Sequence, residues 1–165
     1  ARADAVRIHL VAIGRRMPSW ISDGFREYAQ RLRSGVQLEL IEVEIPRRGQ
    51  NVNLSRVVRE EGARLIRATP SGAYRIALDQ SGHSYDSELL AAQLEKWMTF
   101  GRDIALIVGG PDGLSDEVLA SVDQRWSLSP LTFAHPLVRI VIAEQLYRAY
   151  AISRGLPYHR SGRVL

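Results

Sequence analysis

Residues 126–150 read WSLSPLTFAHPLVRIVIAEQLYRAY, and the choice of fold turns on how this stretch is parsed. Arg125 to Leu128 is a short run that suits a strand. Ser129, Pro130, Leu131, Thr132, Phe133 and Ala134 form a loop, and His135-Pro136 leads into an amphipathic segment. Proline fits the first turn of a helix, where its missing N–H would have had no partner. Beyond it Leu137, Val138, Val141, Ile142, Leu146, Tyr147 and Tyr150 recur close to the 3.6-residue period. A loop ending on a helix N-terminus offers several backbone N–H groups to whatever lies above it. The pattern is that of a ligand floor behind a strand.

Upstream the same strand-then-helix unit repeats. Val6–Ile13 is a β-rich run stopped by Gly14, and Ser19, after Pro18, opens a helix reaching Leu32. Val36–Ile45 alternates strictly, as a half-exposed strand does, and Pro46 ends it. Leu54–Ala68 reads as a helix, Ala73–Leu78 as a strand and Asp86–Phe100 as a helix. Arg102–Val108 is apolar enough to be a central strand. A Gly109-Gly110-Pro111-Asp112-Gly113 break follows, then a short helix from Ser115 to about Val122. Such alternation predicts one α/β domain over residues 1–165, a mainly parallel sheet with helices on both faces. Ligands of such sheets bind beyond the carboxyl ends of the strands. That selects the loops after Leu78, Val108 and Leu128.

Composition narrows the function classes. The 165 residues contain no cysteine, which excludes disulfides, Cys-ligated zinc and a Cys nucleophile, and fits a cytoplasmic setting. No apolar run approaches the ~20 residues of a membrane span. The opening Ala1–Ala5 has neither an initiator Met nor the apolar stretch of a signal peptide. The net charge is +4, and Lys96 is the only lysine among 22 basic residues. Arginine pairs bidentately with phosphate and stacks on bases, so an RNA partner is permitted, although ordinary solvated surface explains the balance equally well.

The candidate chemistry is spread over several segments. The glycines after Val108 let backbone approach a ligand closely, but match neither GxGxxG nor GxxxxGK[ST]. A tight turn accounts for them as well. Glu144 and Arg148 stand four apart and suit a helical ion pair, while His135 could satisfy a helix terminus. Tyr158, His159 and Arg160 follow Pro157 and read either as a frayed end or as a flap over a base. No two of the four histidines have metal-ligand spacing, so no metal is expected.

Taken together, VAIGRRMPSWISDGFREYAQRL, ELIEVEIPRRGQN, ALDQSG, GRDIALIVGGPDGLS, RWSLSPLTFAHPLVRIVIAEQLYRAYAI and PYHR resemble one family over about Val6 to Arg160. It is the SPOUT-class ribosomal RNA large subunit methyltransferase H family, which acts on pseudouridine in large-subunit ribosomal RNA. The terminal residues on either side fall outside the pattern. The resemblance implies a C-terminal deep trefoil knot, one of the exceptions to unthreaded chains. It also implies bent S-adenosylmethionine as cofactor, a homodimer with the active site between protomers, and methylation of pseudouridine N3 on the ribosome. Carried over, the cofactor contacts fall on Leu78, Gly110, Ser129, Pro130, Leu131, Thr132, Phe133 and Ala134. The family often has Leu-Pro where this chain has Phe133-Ala134, a change backbone contacts can survive. The imide nitrogen of the substrate needs help losing a proton. Arg148 is the expected stabilising cation, with His135, Tyr158, His159 and Arg160 positioning the nucleotide. Arg15, Arg16, Arg47 and Arg48 are the expected phosphate contacts. The competing expectation is a non-catalytic RNA- or ribosome-binding protein on the same scaffold.

Overall fold

A computed structural model describes residues 5–47, 49, 51 and 53–158. Among the described residues five strands and five helices alternate: β1 (Val6–Ile13), α1 (Ser19–Ala29), β2 (Val36–Val43), α2 (Leu54–Ala68), β3 (Tyr74–Ser84), α3 (Ser87–Met98), β4 (Ile104–Val108), α4 (Asp116–Ser121), β5 (Gln124–Ser127) and α5 (Leu137–Ser153). The strands form one parallel sheet in the order β2-β1-β4-β3-β5. Every residue of β4 is buried and only Arg7 of β1 is exposed, as strands covered on both faces require. One core joins Phe25 and Leu32, the α3 residues Leu90, Leu94 and Trp97, and the α5 residues Ile142, Leu146 and Tyr150 to one face of the sheet. The other packs Leu65 of α2 and Val118 of α4 against Val11, Ile13 and Ile107. Helices therefore cover both faces.

Element boundaries follow partners more closely than local sequence. β2 stops at Val43, short of the expected Ile45, because β1 turns away there: Val43 pairs with Ile13, and Gly14 N–H donates to the Val43 carbonyl at 2.7 Å. β4 starts at Ile104 rather than Arg102, whose guanidinium turns to the carbonyls of Gly72 and Ala73 at 3.0 and 3.3 Å. α1 ends at Ala29, short of Leu32, and Pro18 rather than Ser19 takes its N-cap position. α2, α3 and α4 carry side-chain caps at Asn53, Asp86 and Ser115.

Two departures bear on function. β3 does not end at Leu78: it leaves register over Asp79–Gly82 and rejoins β5, so that both Leu78 and His83 pair with Trp126. Gly82 makes this possible, since a Cβ there would lie 2.5 Å from the backbone of Arg125 and Trp126. Nor does α5 present the simple amphipathic face its period suggests. None of its 17 residues is exposed, because it lies between α1 and α3. Ile142, Leu146 and Tyr150 are buried as expected, Leu137, Val138, Val141 and Tyr147 only partly, and Arg139 is buried almost completely at 1% exposure.

Candidate functional site

A cleft of about 380 Å³ lies at the carboxyl ends of β4 and β5, beside the stretch where β3 leaves register. That volume suits a cofactor-sized ligand. Its walls come from the three places the strand order selects: Leu78, Asp79 and Gln80 where β3 leaves register, Gly109–Pro111 after β4, and Ser129, Leu131, Thr132 and Phe133 after β5. His135 and Val138 close the side nearest α5. Of the expected cofactor residues, Pro130 and Ala134 are exposed in the same loop and do not line the cleft. Asp79, Gln80 and Leu114 also line it without being among the expected cofactor residues, although the first two fall directly after Leu78, where the ligand loop was expected.

Local chemistry explains these shapes. Leu131 N–H donates to Ser129 Oγ at 3.0 Å, which folds the loop on itself and leaves Leu131 71% exposed at the lip. Gly109 packs so closely on the Gly113 carbonyl that a Cβ would stand 2.6 Å from its oxygen. A Cβ on Gly110 would stand 3.0 Å from a carboxylate oxygen of Glu61, which is buried on α2 directly behind the loop. The glycines thus serve close approach of backbone rather than a phosphate cradle. A larger cavity of about 710 Å³ lies at the β5 edge, lined by Tyr74, His83, Tyr85 and Lys96, but it contains none of the expected cofactor residues.

His135 and Arg139 anchor the start of α5. The His135 Nε2 lies 3.0 Å from the Ile13 carbonyl oxygen and must carry the proton there, since a carbonyl only accepts. Arg139 Nη2 donates to the carbonyls of Ile13 and Gly14 at 3.2 and 2.8 Å, and Nη1 donates to Glu42 at 2.7 Å. Period counting places an arginine outward, so its burial had no sequence signal.

A second polar cluster occupies the far part of α5. Arg148 Nε and Nη2 donate to one oxygen of Glu144 at 3.0 and 2.6 Å, and the Tyr158 hydroxyl donates to the same oxygen at 3.0 Å. The Arg148 guanidinium sits 4.9 Å from the centre of the Tyr158 ring. Burial, then the Glu144 charge, then hydrogen bonds with Tyr28 and Glu144 push the Tyr158 phenol well above its usual range. From Leu137 to Arg148 the helix rises about 16 Å, so this cluster stands well along α5 from the cleft. Arg15, Arg16 and Arg47 are exposed elsewhere on the surface. Arg48, His159 and Arg160 lie outside the described residues. Among the described residues no group of acidic, histidine or cysteine side chains could hold a metal, and no helix is long and apolar enough to cross a membrane.

A parallel sheet with a loop-built cleft beyond β4 and β5 defines a class, and comparison agrees: the chain belongs to the SPOUT methyltransferase family, whose description, "Predicted SPOUT methyltransferase", matches residues 6–159. Within it the chain is 50% identical over 155 residues to the ribosomal RNA large subunit methyltransferase H of Thioalkalivibrio sulfidiphilus, covering 94% of this chain and 99% of that protein. It is likewise 50% identical to the protein of that name from Alkalilimnicola ehrlichii, covering 94% and 100%. Among solved structures, a probable methylase family protein from Haemophilus influenzae Rd KW20 superposes with a TM-score of 0.52 at 13% identity, covering 94% of this chain and 70% of that one. That likeness concerns the fold alone.

Proposed function

We propose that this protein is an S-adenosylmethionine-dependent methyltransferase of large-subunit ribosomal RNA, acting at N3 of a pseudouridine on the ribosome. The observation that carries the reading is the convergence of Leu78, Gly110, Ser129, Leu131, Thr132 and Phe133 on one cleft. The cleft suits the cofactor chemically. Leu78, Val108, Trp126, Leu131 and Phe133 supply apolar surface for an adenine, while Asp79, Ser129 and Thr132 supply polar groups for ribose and amino-acid ends. When bound, S-adenosylmethionine supplies an already activated methyl carbon, so the protein's own task is placement and charge. The loop holds the donor, water is displaced from the cleft, and the substrate nitrogen is brought into line.

Arg148 is the cation assigned to the imide that develops as the proton leaves, with Tyr158 and His159 holding the nucleotide and Arg160, Arg47 and Arg48 contacting RNA. Arg148 is about 16 Å along α5 from the cleft-side turn of the same chain, which favours a homodimer whose partner brings this cluster to the cleft. The same reading includes a C-terminal trefoil knot and a cytoplasmic protein.

Two measurements test this. Calorimetry with S-adenosylmethionine should give saturable heat; a silent titration would favour the non-catalytic binding protein. Mass-spectrometric mapping should find methylated pseudouridine in ribosomal RNA lost from cells without this protein and restored with it. Unchanged methylation in those cells would overturn the assignment.

A further inference from the structure

The turn between β1 and α1 is held from α5 by Arg139, to which none of the chemistry above gives a role, and by His135 beside it. Gly14 has φ +110° and Arg16 φ +58°, the left-handed region that a non-glycine residue occupies only when its surroundings hold it. Arg15 and Arg16 are exposed on that turn. Beneath it the buried Arg139 bridges the Ile13 and Gly14 carbonyls to Glu42 of β2, and His135 holds the Ile13 carbonyl from the same helix. A Cβ on Gly14 would stand 2.7 Å from Met17 Cε and 3.5 Å from Arg139 Nη2, so the turn is packed on both sides. Arg139 is the buried member of the pair and Glu42 is partly exposed, so the hold on the turn comes from its three hydrogen bonds, to two backbone carbonyls and one carboxylate. The helix that makes the clamp is the one directly behind the Ser129–Ala134 loop.

We infer that Arg139 is a positioning residue for RNA capture: it locks the Gly14–Pro18 turn to the cofactor-loop helix, so that Arg15 and Arg16 meet the substrate's phosphates at a fixed distance from the cleft. This rests on the RNA methyltransferase reading. Arg139 does not line the cleft. It acts through the two exposed arginines.

The test is a double-mutant comparison on intact ribosomes or ribosomal RNA, with the wild-type protein as reference. Arg139→Lys should raise the KM for RNA about tenfold, leaving kcat and the S-adenosylmethionine Kd within about twofold. Removing both surface arginines (Arg15→Ala with Arg16→Ala) should raise KM by a similar factor. Adding Arg139→Lys to that pair should then raise it little further. Gly14→Ala, which strains the same turn through its φ of +110°, should reproduce the KM effect should Arg139→Lys fail to fold. Additive KM increases, or a loss confined to kcat, would overturn the coupling. A wild-type protein that methylates no RNA would instead overturn the function on which it rests.

Discussion

Gly82→Ala isolates the contribution of the β3 irregularity. Its backbone lies outside the left-handed region, so alanine meets no conformational barrier there and the whole penalty is steric. The new Cβ would lie 2.5 Å from Arg125 C and Trp126 N and 2.7 Å from Arg125 O. Ordinary carbon contacts stand at about 3.5–4.0 Å, so the overlap is on the order of 1 Å against backbone that cannot rotate aside. Overpacking of this kind costs roughly 1–3 kcal/mol. The lower entropy of the unfolded alanine chain returns only about 0.4–1 kcal/mol. Sterics win, with a net loss a little over about 1 kcal/mol, or about 3–5 °C in Tm at this chain length. Because Leu78–Gln80 and Trp126–Ser127 line the cleft from the two strands being forced apart, cofactor affinity should fall about fivefold, a loss on the order of 1 kcal/mol. Gly72→Ala is the control. There φ is +80° and nothing lies within 4 Å, so it should lose about 1 kcal/mol through the backbone alone and leave the Kd unchanged. Calorimetric unfolding with titration of S-adenosylmethionine reads both quantities. A Gly82→Ala protein with the wild-type Tm and Kd would refute the reasoning.

The cofactor itself should raise Tm: at a hundredfold excess over Kd the stabilisation is about 2.7 kcal/mol, or roughly 5–10 °C in a thermal scan. Arg148→Lys keeps the charge but loses the two-nitrogen grip on Glu144, and steady-state assays should show kcat down on the order of tenfold with the cofactor Kd unmoved. On the proposed dimer, co-expressed His135→Ala and Arg148→Ala chains should recover turnover that neither variant has alone, since there only a mixed dimer would assemble one site with both residues intact. The Tyr158 phenol is raised in the folded protein, so its docking stabilises fully below the unfolded value of about 10 and is lost as pH rises beyond it. Chemical denaturation should show that alkaline loss, and Tyr158→Phe should flatten it.

Much of the architecture was legible because local and tertiary signals agree. Leu54–Ala68 came out with its expected bounds, since Asn53 caps one end and Thr69-Pro70 closes the other. The continuous apolar run of β4 declared a central strand, and the three expected ligand stretches met in one cleft. What stayed hidden depends on neighbours. Asp79-Gln80-Ser81-Gly82 looks like a loop by composition, and only the approach of β5 makes it a bulge within a strand. Arg139 is polar by type and buried by circumstance, because the carbonyls that bind it lie more than a hundred residues away in sequence. The expectation for Glu144 and Arg148 as a helical pair held, but Tyr158 joins it from beyond the helix end.

The walls of the cleft are drawn from residues 78 to 138, and α5 settles between helices laid down as early as Ser19. During synthesis the sheet's first strands can pair long before that pocket exists. Such long-range closure is intrinsically slow, and the nascent chain meanwhile exposes the apolar surface that α5 will cover. On the proposed reading donor binding becomes possible only after α5 has emerged and docked, so a translation product interrupted before residue 137 should be unable to sequester the metabolite.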